Sequence, residues 1–328
     1  MNRFGKHFRL ALWGESHGAQ MGITLDGIPA GIPLSEVDFE EDMARRRSGA
    51  AGTTPRQEED RVEILSGLYR GHTTGAPLTL AVANHHACSE EYAPFADHFR
   101  PSHADWVADH KFQGWNDPRG GGHFSGRLTA LLVAAGVVAK KILPPKICFT
   151  TTLAEVGGCS DPTRFEALLA ETSAQGDSLG GVVACRVEGV PAGLGEPFFD
   201  AAESVIAHLL FAIPGVKGVE FGSGFTAATM RGSAHNDPIL NRTGECATNH
   251  AGGINGGITN ANPLCLRVAF KPAASIAQPQ VTYNRQRDRV EPLTIAGRHD
   301  CCIALRGAVV VEASVAIALA ELLLSTPR

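Results

Sequence analysis

The chain has no excess of positive charge: 29 lysines and arginines face 34 acidic residues in 328, a formal net charge of −5. That excludes a broad basic face for nucleic acid, so an anionic ligand has to be small and met by local clusters. The eight cysteines contain no Cys-x-x-Cys pair, and the N-terminal apolar run is too short for a secretory signal. The reading is a reducing, cytoplasmic setting without a disulfide framework. Neither the P-loop pattern nor the dinucleotide glycine pattern occurs between a strand and a helix, which removes both nucleotide folds. The thirteen histidines are scattered, and the neighbours His85 and His86 do not easily face one ion, so no metal site is expected. The most apolar segment, Ala308 to Leu324, carries Glu312 and Glu321. It reads as a strand end of three valines followed by a buried helix, not as a membrane span.

What is present is a series of glycine-bracketed polar turns. The first, Gly14-Glu-Ser-His-Gly, sets an acid, a hydroxyl and an imidazole just after the apolar run Leu10 to Trp13. Glycine there lets backbone approach a ligand, and His17 supplies a group that titrates near neutrality. A Ser-His hydrolase reading is weak because adjacent residues on a turn point apart. Arg45, Arg46 and Arg47, with Arg56 and Arg61 beyond, form a local cationic cluster suited to phosphate or carboxylate, although each arginine alone reads as a solvated helix end. Arg100 to Asp105 and Arg119 to Arg127 combine arginine, histidine and hydroxyls with glycine, and Gly120 to Gly122 read as a phosphate-binding run before the helix Leu128 to Ile142. The polar, histidine-rich stretch Asn84 to Asp109 reads as a long loop. The glycine-dense stretch from Asn249 reads as backbone shaped around a flat ligand, and Gly297-Arg-His-Asp gathers a guanidinium, an imidazole and an acid.

The second half repeats the first. Leu25-Asp-Gly-Ile-Pro-Ala-Gly-Ile corresponds to Val187-Glu-Gly-Val-Pro-Ala-Gly-Leu, Val62-Glu-Ile-Leu-Ser-Gly to Val219-Glu-Phe-Gly-Ser-Gly, and the segment from Gly71 through Pro77 to Ala83 to that from Gly257 through Pro263 to Ala269. Each first block precedes a helix, Leu34 to Arg47 and Phe199 to Phe211. Three blocks in one order predict two halves of like topology, 1–145 and 146–328, around a pseudo-two-fold axis. No Ser- or Pro-rich linker separates them, so one continuous domain is expected.

Taken together, Gly14-Glu-Ser-His-Gly, the triple arginine, Thr73-Thr-Gly-Ala-Pro, Arg100-Pro-Ser-His-Ala-Asp, Asp177-Ser-Leu-Gly-Gly, Pro214-Gly-Val-Lys-Gly, Asn249-His-Ala-Gly-Gly, Arg267-Val-Ala-Phe-Lys-Pro and Gly297-Arg-His-Asp resemble chorismate synthase, in family order over nearly the whole chain. The resemblance implies an α+β fold, a β-α-β sandwich of antiparallel sheets and helices, assembled as a homotetramer. It implies a lyase that uses reduced FMN to convert 5-enolpyruvylshikimate 3-phosphate to chorismate by 1,4-anti elimination of phosphate. That substrate carries two carboxylates and a phosphate, roughly four negative charges at neutral pH. By match to the family, Arg46, Arg127 and Arg298 would bind it. His17 would protonate the departing phosphate or stabilise its charge, His103 would meet the pyrimidine end of the flavin, and Asp300 would take a proton from flavin N5. The cofactor would lie along His123, Phe124, Ser125, Ala234, His235, Gly256, Lys271, Pro272, Ala273, Ala274, Ser275 and Arg298.

The chain departs from the family pattern at His123, where arginine is usual, and at Gly126 (alanine), Ser102 (glycine), Cys301 (proline) and Ala273-Ala274 (Thr-Ser). Losing a permanent charge and two hydroxyls predicts weaker FMN binding. Gly52 stands where the family is often basic, so NADPH is expected to act only indirectly, through a separate flavin reductase. Two rivals are a catalytically impaired flavin- or anion-binding relative and a flavin-independent phosphatase or phospholyase. No membrane or nucleic-acid partner is expected.

Overall fold

The computed structural model describes residues 2–47, 49, 52–53, 60–84, 89–295 and 299–326. Its first sheet holds β1 (Arg3–Phe4), β2 (Arg9–Gly14), β3 (Gln20–Asp26), β4 (Val62–Ser66) and β5 (Leu78–Ala83), in the order β1-β2-β3-β5-β4 and antiparallel throughout. Between β3 and β4 lies α1 (Glu40–Arg46); after β5 come α2 (Asp105–Phe112) and α3 (Thr129–Ile142). The second sheet holds β6 (Cys148–Val156), β7 (Gly181–Glu188), β8 (Val216–Phe221) and β9 (Leu264–Phe270). Read from β6, its order is β6-β7-β9-β8, again antiparallel. With the two-residue edge strand β1 set aside, the order first-second-fourth-third occurs in both sheets. The registers correspond as well. Leu25 faces Leu78 and Val62 faces Val82 in one sheet, while Val187 faces Leu264 and Val219 faces Val268 in the other. The two proline-led strands, β5 and β9, are each flanked by the same two neighbours of their own half.

Helices fill the space between the sheets. Residues 129–139 of α3 are all buried, which is why its sequence shows no polar face. It packs against the first sheet on one side and on the other against α6 (Ala304–Ser325), which covers the second sheet; α4 (Phe165–Ala174) and α5 (Ala202–Phe211) complete the helices used below. One hydrophobic core runs through all of these elements. At the α3–α6 crossing a Cβ built on Gly136 would stand 2.4 Å from Ala313 Cβ and 2.6 Å from its Cα. Gly136→Ala is expected to lower stability by about 1–3 kcal/mol through overpacking, read as a lower urea midpoint at constant slope. An unchanged midpoint would mean the two backbones separate without cost.

Two sequence expectations change here. The valines Val309, Val310 and Val311 belong to the helix and not to a strand, because α6 is enclosed on nearly all sides and packing overrides the β preference of a short valine run. Its acids are tied in place. Glu321 accepts from the backbone N–H groups of Lys6 (2.8 Å), His7 (2.9 Å) and Phe8 (2.6 Å). Glu312 accepts from Arg45, Lys140 and Thr151. Burial alone would raise the Glu312 carboxyl, but those donors, Arg45 foremost, bring it down to about 2. The stretch Asn84 to Asp109 is also not a plain loop. It contains a 3-10 segment, Ser89–Ala96, and opens α2. In α2 only Ala108 is buried, so no apolar stripe announces the helix.

Candidate functional site

The turn Glu15 to Ala19 joins β2 to β3, so although Gly14-Glu-Ser-His-Gly spells Gly-x-Ser-x-Gly, it connects two antiparallel strands and makes no strand-to-helix nucleophile elbow. Gly14 has φ +91, and a Cβ there would lie 2.7 Å from Met21 Cα, so the strand end requires glycine. Asn84, at the end of β5, donates through Nδ2 to the carbonyls of Glu15 (3.1 Å) and Gly18 (2.8 Å). Ser16 N–H donates to Gly122 O at 3.1 Å, and His123 Nδ1 lies 2.7 Å from Gly14 O. The turn is thereby clamped between β5 and the glycine run. His17 is 7% exposed, edge-on to Tyr92 with ring centroids 5.0 Å apart.

The glycine run does not stand at a helix N-terminus, contrary to the phosphate reading. Gly120, Gly121 and Gly122 all have positive φ, and α3 begins only at Thr129. Their freedom serves close approach: the Gly120 backbone lies against His17, and Gly122 closes on Asp117, whose carbonyl O an added Cβ would meet at 2.1 Å.

The arginine cluster divides by burial. Arg45 turns away from this region to Glu312 and Asp42. Arg46 is 3% exposed and donates to Thr129 Oγ1, to Asp60 Oδ2 at 2.8 Å, and to the carbonyls of Gly126 and Arg127. Burial pushes its guanidinium down to about 10 against the opposing charge of Asp60, so it stays charged at neutral pH. Arg127 donates to the other oxygen of Asp60 at 2.7 Å and to Asn84 Oδ1 at 2.7 Å. One buried carboxylate thus bridges two arginines, and Asn84 links them to the His17 turn. Arg47 is exposed and lines the same cavity.

On the facing side, buried Arg100 and the enclosed side chain of half-buried Asp105 form a bidentate pair: Nε to Oδ2 at 2.8 Å and the second guanidinium nitrogen to Oδ1 at 2.7 Å. His103 Nδ1 lies 2.5 Å from Asp105 Oδ1. Burial would raise the Asp105 carboxyl, but hydrogen bonds from Arg100 and His103 hold it well below the usual carboxylate range. Arg100 also reaches Ser275 Oγ at 3.3 Å, and Lys271 Nζ donates to Ser102 O at 2.6 Å, joining the segment after β9 to this loop. A hairpin of β10 (Gln280–Asn284) and β11 (Arg289–Leu293) braces it from outside, with Thr282 Oγ1 donating to Phe99 O and Arg285 pairing with Asp97 and Asp109. Before α6, Asp300 Oδ2 accepts from Arg306 at 2.7 Å.

These groups converge on one cavity of about 880 Å³. It takes in His17, His103, His123, Phe124, Ser125, Arg46, Arg127, Lys271, Ala273, Ala274, Ser275 and Asp300. Ala234, His235, Gly256 and Pro272 are not among its lining residues, and Arg298 lies outside the described residues. His235 instead tilts toward His250, with ring centroids 5.7 Å apart. In the glycine stretch from Asn249 onward, Gly252 serves close backbone packing, since a Cβ there would stand 2.4 Å from Gly222 N, whereas a Cβ on Gly256 would meet nothing within 4 Å. Asp60, Asn84 and Arg306 were not singled out in the sequence, since each stands alone among residues without a motif. Among the described residues, seven lysines and arginines but two carboxylates line the cavity, in a chain that is acidic overall. Its size suits small-molecule sites, which run about 300–1,000 Å³. Gly126 has no atom within 4 Å of an added Cβ and so borders open space. A phosphate-bearing aromatic cofactor and an anionic substrate therefore fit the donors present.

The chorismate synthase family model matches residues 8–324. Chorismate synthase of Chitinophaga pinensis is 56% identical over 329 residues, covering 100% of this chain and 98% of its own length. That of Korarchaeum cryptofilum is 44% identical over 353 residues, with 99% and 98% covered. A crystal structure of chorismate synthase superposes with a TM-score of 0.74 at 29% identity, covering 98% of this chain and 93% of that one.

Proposed function

The chain belongs to the chorismate synthase family, enzymes of the shikimate pathway, and from that premise we propose that it eliminates phosphate from 5-enolpyruvylshikimate 3-phosphate as a reduced-FMN-dependent lyase. The observation that carries the reading is the convergence of His17, His103 and Asp300 on one cation-lined cavity. Reduced FMN, when bound, supplies transient electron donation and is returned unchanged, so the net reaction is redox neutral. His123, Phe124, Ser125, Lys271 and the segment Ala273 to Ser275 would hold it.

The residues themselves divide the work. Arg47, Arg127 and Arg306 supply guanidinium donors for the substrate's carboxylates and phosphate. Arg46, with donors committed to Asp60, Thr129 and two carbonyls, fixes the Gly126–Arg127 backbone. His17, held between Tyr92 and Gly120, gives a proton to the departing phosphate oxygen or neutralises its charge. Asp300, whose Oδ2 accepts from Arg306, is the group that receives a proton. An impaired relative is not favoured, because the three titratable groups are retained in one place.

Phe198, Phe199 and Phe225 stand in solvent, Phe199 at 93% exposure, which supports assembly as a homotetramer. Gly52 is packed against Leu169 and Leu305, and its carbonyl accepts from Cys301 N–H at 2.9 Å. It brings no charge to the position that is often basic in the family, which supports supply of reduced flavin by a separate reductase in the cytosol.

An anaerobic assay with reduced FMN and the enolpyruvyl substrate tests the proposal by following phosphate release and diene absorbance. Stoichiometric release of both is expected, and His17→Gln should lower kcat by about 10²–10⁴-fold. No product at saturating flavin would overturn the assignment.

A further inference from the structure

Asp105 does not line the cavity, yet its side chain is only 7% exposed and, among the described residues, it makes the shortest hydrogen bond to His103. Building on the reading that His103 works beside the flavin, we propose that Asp105 is a positioning residue that fixes the imidazole as the Nδ1–H tautomer and so presents Nε2 to the reaction.

The hydrogen-bond inventory leads there. Arg100 only donates, so its contact with Asp105 Oδ1 at 2.7 Å makes that oxygen an acceptor. His103 Nδ1 is 2.5 Å from the same oxygen. An imidazole with a bare Nδ1 would set a lone pair against a carboxylate oxygen, so Nδ1 carries the proton. The Arg100 nitrogen 3.0 Å from Nδ1 is then a neighbouring donor aimed at a shared acceptor. The opposite edge of the ring faces the glycine run: a Cβ on Gly121 would stand 3.2 Å from Cε1 and 3.5 Å from Nε2. With Nδ1 committed, Nε2 is the atom left to take or give a proton.

Asp105 itself cannot drift. Its other oxygen accepts from Arg100 Nε at 2.8 Å and Arg100 N–H at 3.0 Å, and the Arg100 guanidinium lies 4.7 Å from the Phe95 ring centroid. The loop is pinned again by Lys271 on Ser102 O. The carboxylate is thus oriented by a cation that is itself stacked and buried, the arrangement by which outer groups set a histidine's tautomer.

The test is nitrogen-15 and proton NMR of the histidines in the protein without flavin, with His103→Gln identifying the His103 signals. Wild type should show the proton on Nδ1 as a far-downfield resonance that Asp105→Asn abolishes. Circular dichroism verifies that the variant is folded. Turnover with reduced FMN should then fall about 10²-fold, as for a misplaced catalytic group, with substrate KM within about two-fold. A wild-type His103 protonated at Nε2 with a bare Nδ1 would overturn the proposal whether or not the variant folds, and so would an unchanged resonance in Asp105→Asn. A lost resonance with undiminished kcat would leave the tautomer assignment standing and remove His103 from the proposed chemistry.

Discussion

Replacing Asp60 with alanine should destabilise the protein by about 3–5 kcal/mol, the cost of breaking a buried ion pair on one side. Asp60 is 5% exposed and is the shared partner of Arg46 at 2.8 Å and Arg127 at 2.7 Å. Removing it leaves the Arg46 and Arg127 guanidinium groups without their shared carboxylate. A second cost arises from the backbone. Asp60 has φ +45, where alanine carries a left-handed penalty of about 1–2 kcal/mol that Asp and Asn largely escape. Asp60→Asn isolates the charge effect by keeping that tolerance and one acceptor oxygen, so it should be the milder variant by about that amount. Because Arg46 also holds the Gly126 and Arg127 carbonyls, kcat/KM should fall in both variants, by about 10²-fold or more. Urea unfolding and steady-state kinetics read the two effects. Stability within about 1 kcal/mol of wild type for the alanine variant would mean that the pair is open to water and screened.

What the sequence disclosed and what it withheld follow one physical line. That His17, His103 and Asp300 line one cavity was legible because each lies within three residues of a glycine or arginine in a short polar segment, where the local pattern itself implies a ligand. The antiparallel sandwich of the α+β fold was implied by the resemblance to the family, while the repeated blocks predicted only two halves of like topology. Four strands of each sheet share one order, and the registers match, Val62 with Val82 and Val219 with Val268, so the repeated blocks occupy equivalent positions in the two sheets. Asp60, Asn84 and Arg306 were withheld because their roles exist only between elements: Asn84 joins β5 to a turn 66 residues earlier and to Arg127 43 residues later. Arg45 and Arg46 are adjacent in sequence but reach different surroundings from α1, one Glu312 and one the cavity. No spacing rule assigns which is which without knowing where α6 lies. The same holds for the valines of α6, whose strand preference is reversed by enclosure.

Gly120→Ala should be as damaging to turnover as removing a catalytic group, though it deletes none. A Cβ at this position would stand 2.4 Å from His17 Cδ2, 2.5 Å from Nε2 and 2.9 Å from Ser16 Oγ, distances that real side chains do not tolerate. The imidazole has little room to yield, with Tyr92 edge-on at 5.0 Å and the turn beneath it clamped by Asn84 and by Gly122 O. Gly120 also has φ +59, so an alanine that relaxed its own backbone to escape would move the run whose Gly122 O accepts from Ser16 N–H. Either response shifts His17 by on the order of 1 Å, which costs about 10²-fold when a proton must be delivered to one oxygen. Substrate affinity depends on arginines held elsewhere, so kcat should drop with KM changed far less. Gly126→Ala is the matched comparison, since its Cβ meets nothing within 4 Å and its φ is not positive, and its kcat should stay within about two-fold of wild type. If Gly120→Ala turned over at the wild-type rate while remaining folded, His17 would not be working from the position it occupies against the glycine run, and the proton would have to come from another group on the cavity wall.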